Sequence, residues 1–584
     1  MMARESDGTN AAVTHASDAS RDGWARAAVE VLAILAVFAA AGAWPVPDVN
    51  ETAYLTKARH DADPSWGRGD FFLETPDAHG VFYLLIGPLA AAVSLEQAAW
   101  IGRWLGWLAL ACGFRHAVVP LLPPTGPRIL AAALFSLALR HTTAAGEWVI
   151  GGCEAKVFAW ALVLVACGEI GWGRHAWAWL ALGAATALHP IVGGWGLVAL
   201  ALSGWNAGSG WHAWPLPRTP SPRDEATPPR TAPVVGAVLV SAGVLLAAAG
   251  VVPALALSAG ADAATRAAAA KIHVVERLSH HLLIRTFADG MVARHVLAIL
   301  LWWLLRGRRP VAPPAGTAGV AIERSAGGRV DRFILASLAI SLAGVAISLL
   351  EPFAAGTAYG LLRFYWFRLA DVLVPFGLAT AAAAVLADDA AVGTLFRTRP
   401  AVVRWVVAGL LCLDLAHERR HWPLPGRTGL AARSDTKVDA AAWRDICEWV
   451  AANTTADACV LTPRGAASFT WWTGRREVVG WKNSPQDARS LVEWRRRFAD
   501  CFSRDGSFAN MERSTAMIGP ERLQRVADLY GATHAIIPLD VPGTAMLPFE
   551  RLHANRGYAV YRLQGHPADH PADHPAKQPV RDAP

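Results

Sequence analysis

The sequence predicts a polytopic membrane protein: an all-α membrane domain of about eleven helical spans followed by a soluble α/β domain of roughly 150 residues. Three observations lead there. Of 584 residues, 53% are hydrophobic and only 17% charged, where soluble chains carry about 25%. Runs such as 25–44 and 233–258 hold almost no charge, and a hydrocarbon core takes roughly 20 apolar residues to cross. Tryptophan is abundant, at 26 residues, and stands near run ends (Trp44, Trp148, Trp172, Trp195, Trp405), where interfacial anchors belong.

Residues 1–23 are polar and rich in Ala, Ser and Asp, which predicts a disordered tail. The membrane domain then occupies 24–419, with candidate spans at 25–44, 80–94, 98–119, 157–172, 175–188, 190–204, 233–258, 293–305, 333–350, 360–386 and 400–416. The run 129–140 is short and bounded by Pro127, Arg140 and His141, so it reads as re-entrant or partly inserted. Charge tests that choice. Arg4, Arg21 and Arg26, the loop 206–232 and the loop 306–332 carry the arginines, and basic loops stay cytoplasmic. Leaving 129–140 out puts all of them inside. The expected protein therefore sits in the cytoplasmic membrane, with its N-terminus inside and its C-terminal domain outside. The acidic loop 45–79 and the segments 141–156, 259–292 and 351–359 then share the outer face.

The soluble domain is expected over 420–564. Trp443, Ile446, Val450 and Ala451 recur at helical spacing over 440–451. Strands are expected at 459–462, 477–480, 534–539 and 558–563, and helices at 484–498 and 520–530, the first with Ser484 as N-cap and Pro485 at its first position. The repeat HPADHPADHPA in the tail 565–584 is Pro-rich and packs no core.

The net charge of +7 is explained by membrane topology and gives no reason to expect nucleic acid. Seven scattered cysteines show no CxxC or metal-ligand spacing; in an oxidising compartment two of Cys447, Cys459 and Cys501 have the option of pairing.

Chemistry concentrates in the expected outer segments. The first loop carries Asp48, Glu51, Asp61, Asp63, Asp70, Glu74 and Asp77, with His79 entering the second span. Asp48 and Glu51 share a face if helical, and a carboxylate there suits a general base, or a pair of them a divalent cation. A solvated acidic loop is the plain alternative. GEWVIGGCEAK places Glu147, Glu154 and Lys156 at a span mouth, where Gly151 and Gly152 permit close backbone approach. His189 stands at a break enforced by Pro190, as a substrate contact or as a partner for freed backbone groups. The segment 262–292 is amphipathic and carries His273, Arg277, His281 and Arg285. Arg363, Arg368 and Asp371 interrupt an aromatic and apolar run. Guanidinium groups at membrane depth call for an anion such as phosphate, although Arg368 and Asp371 at i,i+3 also suit a simple pair.

These features together resemble the GT-C superfamily of membrane glycosyltransferases: acids Asp48 to Glu51 in the loop after the first span, HGVFYLLIGPL entering the second, Arg103 opening the third, and an outer C-terminal α/β domain. NETAYLTKARHDADPSWGRGDFF, GEWVIGGCEAKVFAWALV and FTWWTGRREVVGWKNSP are more closely similar to a bacterial family of membrane proteins with a domain of unknown function. The superfamily resemblance implies a polyprenyl-phosphate sugar as donor, membrane lipids as surroundings and inversion at the sugar. By position, Asp48 or Glu51 would be the catalytic base and Arg363 or Arg368 would hold the leaving phosphate. Asp70, His79, Glu147, Glu154, Lys156, His189 and Asp371 complete the expected substrate-binding set. The spacing Asp48-x-x-Glu51 departs from the adjacent or Asp-x-Asp acids common in that superfamily, and no cofactor is specified beyond an open place for a divalent cation. The alternative function is non-enzymatic: a transporter, or an envelope scaffold whose outer domain binds a partner.

Overall fold

The computed structural model describes residues 6–205, 232–309, 325–427 and 429–563. The tail 565–584, the loop 206–231 and the centre of the loop 306–332 lie outside them. Two compact units emerge: Met1–Pro64, Thr75–Ser434 and Pro485–Glu493 form one; Ser65–Glu74, Asp435–Ser484 and Trp494–Pro584 form the other.

The first unit is helical. Among the described residues, six of its helical stretches are long and apolar enough to cross a membrane: Gly23–Gly42, Ala155–Trp172, Val234–Ala256, Ala326–Leu349, Arg368–Leu386 and Pro400–His421; Gly80–Ala92 and Pro190–Gly204 are shorter apolar helices. In chain order the elements are α1 (Ser6–Gly42), α2 (Glu51–Ala62), α3 (Gly80–Ala92), α4 (Leu95–Val118), α5 (Gly126–His141), α6 (Ala155–Trp172), α7 (His175–Leu188), α8 (Pro190–Trp205), α9 (Ala232–Ala256), α10 (Ala263–Lys271), α11 (Asp289–Arg306), α12 (Ala326–Leu349), α13 (Ala355–Leu362), α14 (Arg368–Leu386), α15 (Asp389–Phe396) and α16 (Pro400–Glu418). α1 begins at Ser6, inside the stretch expected to be disordered; an Ala-rich segment joined to a span extends its helix at little cost.

Buried polar groups gather in two layers. In one, Glu30 accepts from Arg115 Nε at 2.8 Å, Thr125 N at 2.8 Å and Arg128 Nη1 at 3.1 Å. His116 lies 2.7 Å from Glu169, and Arg309 3.1 Å from Asp331. In the other, Arg103 meets Glu51, His295 meets the Thr142 carbonyl at 2.7 Å, and Asp371 accepts from Ala144 N at 2.7 Å. Arg103 and Arg115 are twelve residues apart on α4, so the layers are separated by roughly 18 Å at 1.5 Å per residue.

Two stretches run between the layers differently from what hydropathy suggests. The stretch 129–140 is one continuous helix, α5, with Arg128 in the Glu30 layer and its end beside Thr142 in the Glu51 layer. Pro127 sits in its first turn, where a missing N–H costs nothing, and Phe135 packs between Phe114 and Phe376. The stretch 80–94, by contrast, makes no net passage. His79 before α3 contacts Tyr54 of α2 at 3.4 Å, and Arg103 beyond α3 contacts Glu51 of the same helix at 2.8 Å. The chain leaves the Glu51 layer and returns to it. The expected span 360–386 is likewise two helices, α13 and α14, broken at Tyr365, whose φ is +55°.

α7 and α9 pack backbone to backbone. A β-carbon at Gly183 would lie 2.1 Å from the Gly243 carbonyl, and one at Gly250 would lie 2.1 Å from that of Thr186. Small residues allow such contact where no hydrophobic force separates helix from lipid.

The second unit holds a five-stranded sheet of order β2-β1-β3-β5-β4: β1 (Cys459–Leu461), β2 (Arg476–Glu477), β3 (His534–Pro538), β4 (Glu550–Ala554) and β5 (Tyr558–Arg562). β2, β1 and β3 are parallel; β3, β5 and β4 antiparallel. α17 (Ala440–Asn453) packs Trp443, Ile446 and Val450 on Val460, Ile536 and Val560. The sequence reading missed β4, an edge strand of polar character (ERLHA). The helix expected from Ser484 is α18 (Ala488–Phe502); Asp487, not Ser484, accepts from the third residue on, Ser490 N, at 2.9 Å. All seven cysteines are free, Cys447, Cys459 and Cys501 being buried.

Replacing Gly183 with Leu is expected to force α7 and α9 apart, costing about 1–3 kcal/mol through overpacking. The check is a lowered melting midpoint of the detergent-solubilised protein, with Gly194→Ala as control, because nothing lies within 4 Å of a β-carbon there.

Candidate active site

The Glu51 layer contains most of the side chains singled out in the sequence, and hydrogen bonding sorts them. Glu51 opens α2 and is fully buried. Its Oε1 accepts from Arg103 Nε at 2.8 Å and Cys153 N at 2.7 Å; its Oε2 accepts from Arg103 Nη2 at 2.7 Å and Asp48 N at 2.6 Å. Arg103 also donates to the Trp44 carbonyl at 2.5 Å. Burial raises the Glu51 carboxyl pKa, but the guanidinium and the two backbone N–H groups outweigh it and hold it below the usual range. With four donors on two oxygens, Glu51 has no lone pair left for a substrate proton. Its bonds are those of a structural anchor.

Asp48 differs. It is 1% exposed. Its Oδ1 accepts from Val49 N at 2.7 Å. Its Oδ2 has no hydrogen-bond partner among the described residues, and Arg433 Nη1 approaches only to 3.6 Å. A buried carboxylate oxygen in that state is costly to the fold and available to chemistry.

The glycine-rich stretch before α6 carries an ionic chain. Asn50 Nδ2 donates to Glu154 Oε2 at 3.0 Å. Lys156 Nζ lies 3.7 Å from Glu154 and 3.5 Å from Glu147, over the Trp148 ring at 3.5 Å. Arg368 Nε lies 2.9 Å from Glu147 Oε2, its guanidinium over Tyr365 at 3.9 Å. For Glu147, burial is outweighed by Arg368 and Lys156, and its pKa falls. For Glu154, burial prevails over Lys156 and the nearby Asp48 charge adds to it, so its pKa rises. Glu154 Oε1 is also without a hydrogen-bond partner among the described residues.

The remaining expected residues have structural partners. Arg368 and Asp371 do not pair: Asp371 binds Ala144 N, Ala145 N at 2.9 Å and Glu147 N at 3.2 Å, fixing the glycine-rich stretch. His189 Nδ1 accepts from Val192 N at 3.3 Å, serving a first-turn N–H of α8. His79 joins Asp77 at 2.6 Å and Gln486 at 3.2 Å, and its ring centre lies 4.9 Å from that of His189. Arg363 Nη1 contacts Ser258 Oγ at 3.4 Å, and its Nε has no partner among the described residues.

Asp70 belongs elsewhere. It lies in the second unit, where its Oδ2 accepts from Glu477 N at 2.9 Å and its Oδ1 from Phe72 N and Leu73 N at 3.0 Å. It is a backbone cap, not a partner of Asp48. Glu477 accepts from the Thr462 hydroxyl and from Asn483 Nδ2 at 3.4 Å. Burial first, and the Asp70 charge with it, pushes its carboxyl up to about 8.

Sequence reasoning missed Asn50, Tyr54, Trp148 and Arg433 as members of the layer, because only the fold places them there. Among the described residues no three His, Cys, Asp or Glu side chains converge as a metal-holding group.

Glu51→Gln is expected to leave Arg103 buried without its countercharge and to cost about 3–5 kcal/mol. Asp48→Asn keeps the acceptor for Val49 N and is expected to cost under about 1 kcal/mol. Thermal denaturation in detergent distinguishes the two. For Glu477, whose folded pKa of about 8 exceeds the ordinary value of about 4.3, the folded state binds the proton more tightly. Stability of the second unit should therefore fall as pH rises from about 4 to about 8 and level off above. Hydrogen exchange of β1 and β2 across that range measures it, and Glu477→Gln should flatten the dependence.

Comparison with known proteins gives a family match in the C-terminal part of the chain. No curated protein matches the chain. Residues 441–501 match the family described as Domain of unknown function (DUF6798), a stretch that runs from α17 through β1 and β2 to α18.

Proposed function

We propose that this chain is a GT-C-like membrane glycosyltransferase that moves a sugar from a polyprenyl-phosphate donor, with Asp48 as general base. The observation that carries the reading is the buried Oδ2 of Asp48, which accepts no hydrogen bond among the described residues and meets Arg433 Nη1 at 3.6 Å; of the other candidate acids in the layer, Glu154 shares that state through Oε1 but lies at the mouth of α6, and Glu51, Glu147 and Asp371 are bonded or paired. In the proposed step the acceptor hydroxyl gives its proton to Asp48, its oxygen bonds to the anomeric carbon, and the bond from that carbon to the phosphate oxygen breaks with inversion. The phosphate leaves with the electron pair. Arg363, through its unpartnered Nε, would meet that anion; Arg368 is already engaged with Glu147 and would share its charge.

The reading takes eleven helices as passages between the two polar layers: α1, α4, α5, α6, α7, α8, α9, α11, α12, α14 and α16. Exchanging α3 for α5 keeps the parity expected from the sequence. Arg309 and Arg329 make contacts in the Glu30 layer, with Arg306, Arg308 and Arg332 adjacent in sequence, and the positive-inside rule would assign that layer to the cytoplasm. The Glu51 layer then faces outward in the cytoplasmic membrane.

A second reading, a transporter or a scaffold whose second unit binds a partner, draws support from the saturation of Glu51 and Asp371 by structural bonds. Mass spectrometry of lipids that co-purify with the protein separates the two, since the enzyme reading expects a polyprenyl phosphate and the scaffold reading does not. With a lipid-linked sugar supplied, Asp48→Asn should lower transfer about 10²–10⁴-fold while leaving the melting midpoint in place; wild-type transfer by that variant would remove Asp48 from the mechanism.

A further inference from the structure

One segment of the chain, the stretch between α16 and the second unit, closes around Trp44. The Trp44 ring stacks on that of His421, with centres 3.7 Å apart and planes 12° from parallel, and the Arg433 guanidinium lies 3.9 Å from the centre of the Trp44 ring. Each of these groups fills the van der Waals depth of an indole face, so they take opposite faces and Trp44 is sandwiched between them. Trp44 is itself tied to the Glu51 anchor, because its carbonyl accepts from Arg103. From its place on Trp44, Arg433 extends Nη1 to 3.6 Å from Asp48 Oδ2. A charge-assisted hydrogen bond measures about 2.7–2.9 Å, so this contact is an ion pair without a hydrogen bond. Two residues on, at Asp435, the chain enters the second unit.

We propose that Arg433 is the positioning residue of Asp48: clamped on Trp44, it holds the carboxylate by charge alone and leaves the lone pairs of Oδ2 open to a proton. This rests on the reading of Asp48 as the base and adds a residue from outside the first loop. A carboxylate oxygen held by hydrogen bonds, as both oxygens of Glu51 are, has its lone pairs spent. One held by nothing turns freely, since Val49 N secures only Oδ1. A cation just beyond hydrogen-bond distance avoids both states. Stacking explains the distance: a guanidinium lying flat on an indole keeps its N–H groups in its own plane and meets Asp48 at the rim. Uptake of the proton neutralises Asp48 and ends its attraction to Arg433, so the contact belongs to the state that is ready to react. Lysine would not serve. Its compact ammonium has no flat face for Trp44, and on its flexible stem it would reach Oδ2 and donate to it.

The test combines transfer with a spectroscopic readout on the full chain in nanodiscs. With a lipid-linked sugar supplied, Arg433→Gln should lower kcat about 10–10²-fold, as loss of orientation does, and leave KM within about threefold. Arg433→Lys keeps the charge and should still reach less than about a tenth of the wild-type kcat. Trp44→Phe, which keeps a ring for the guanidinium, should lose less than Trp44→Ala. The readout independent of transfer is fluorine NMR of fluorotryptophan-labelled protein, the Trp44 line being assigned by its disappearance in Trp44→Phe. Asp48→Asn should move that line, because Arg433 loses its countercharge, and should leave it in place when Arg433 is already Gln. Wild-type kcat in Arg433→Gln, full kcat in Arg433→Lys, or a Trp44 line that ignores Asp48→Asn while Arg433 is present would each overturn the inference. Should the wild-type chain transfer no sugar, the glycosyltransferase reading fails, and the Trp44 line alone decides whether Arg433 positions Asp48. Should Arg433→Gln misfold, as its melting midpoint would reveal, Arg433→Lys and Trp44→Ala carry the same comparison.

Discussion

The buried pair between Glu51 and Arg103 ties together more of the first unit than any other contact in its layer. Two parallel hydrogen bonds join α2 to α4, and the same two residues take up the Trp44 carbonyl, the Asp48 N–H and the Cys153 N–H. Three chain segments distant in sequence, 44–51, α4 and the stretch at Cys153, are therefore pinned to one carboxylate and one guanidinium. Taking these ions out of water is expensive, and each is retained only because nearly all its hydrogen-bonding capacity is used. Gly152 belongs to the same arrangement, since a β-carbon there would lie 2.8 Å from Glu51 Oε1.

That anchor explains why neighbouring acids with similar sequence credentials have different fates. Asp48 and Glu51 are three residues apart, yet Glu51 absorbs the available donors and Asp48 keeps an oxygen unmet. Asp371 is consumed in the same way by the backbone of residues 144, 145 and 147. Glu147 is drawn to Arg368, whereas Glu154 has only a longer contact with Lys156. The chemistry open to the layer is thus defined by subtraction: Asp48 and Glu154 hold the carboxylate oxygens left over after the fold has taken what it needs.

The loop between α2 and α3 is divided between purposes. Its central ten residues, Ser65–Glu74, belong to the second unit. There Asp70 caps β2, and Arg497 lies over the Phe71 ring at 4.0 Å. The acids of 45–79 look like one cluster because they are close in sequence. Their partners separate them, Asp48 and Asp77 going to the helical unit and Asp70 to the sheet.

Hydropathy by itself determined that the chain is built around long apolar helices, because a run of some 20 uncharged residues needs no tertiary knowledge to recognise. The helical period of 440–451 and most of the strands were legible for the same reason: local periodicity reports local structure. Which apolar run passes between the polar layers was not legible. α5 carries charges at both ends that are neutralised by Glu30 and Asp414, far away in sequence, while the more apolar α3 turns back because both its flanks bind α2. Likewise Asp48, Glu51, Glu147, Glu154, Arg363 and Arg368 were visible as ionisable residues in apolar surroundings, but sequence offers no account of who pairs with whom. Only the tertiary structure decided that Glu51 is spent on Arg103 and that Asp48 is not, since hydrogen-bond saturation depends on donors more than fifty residues away.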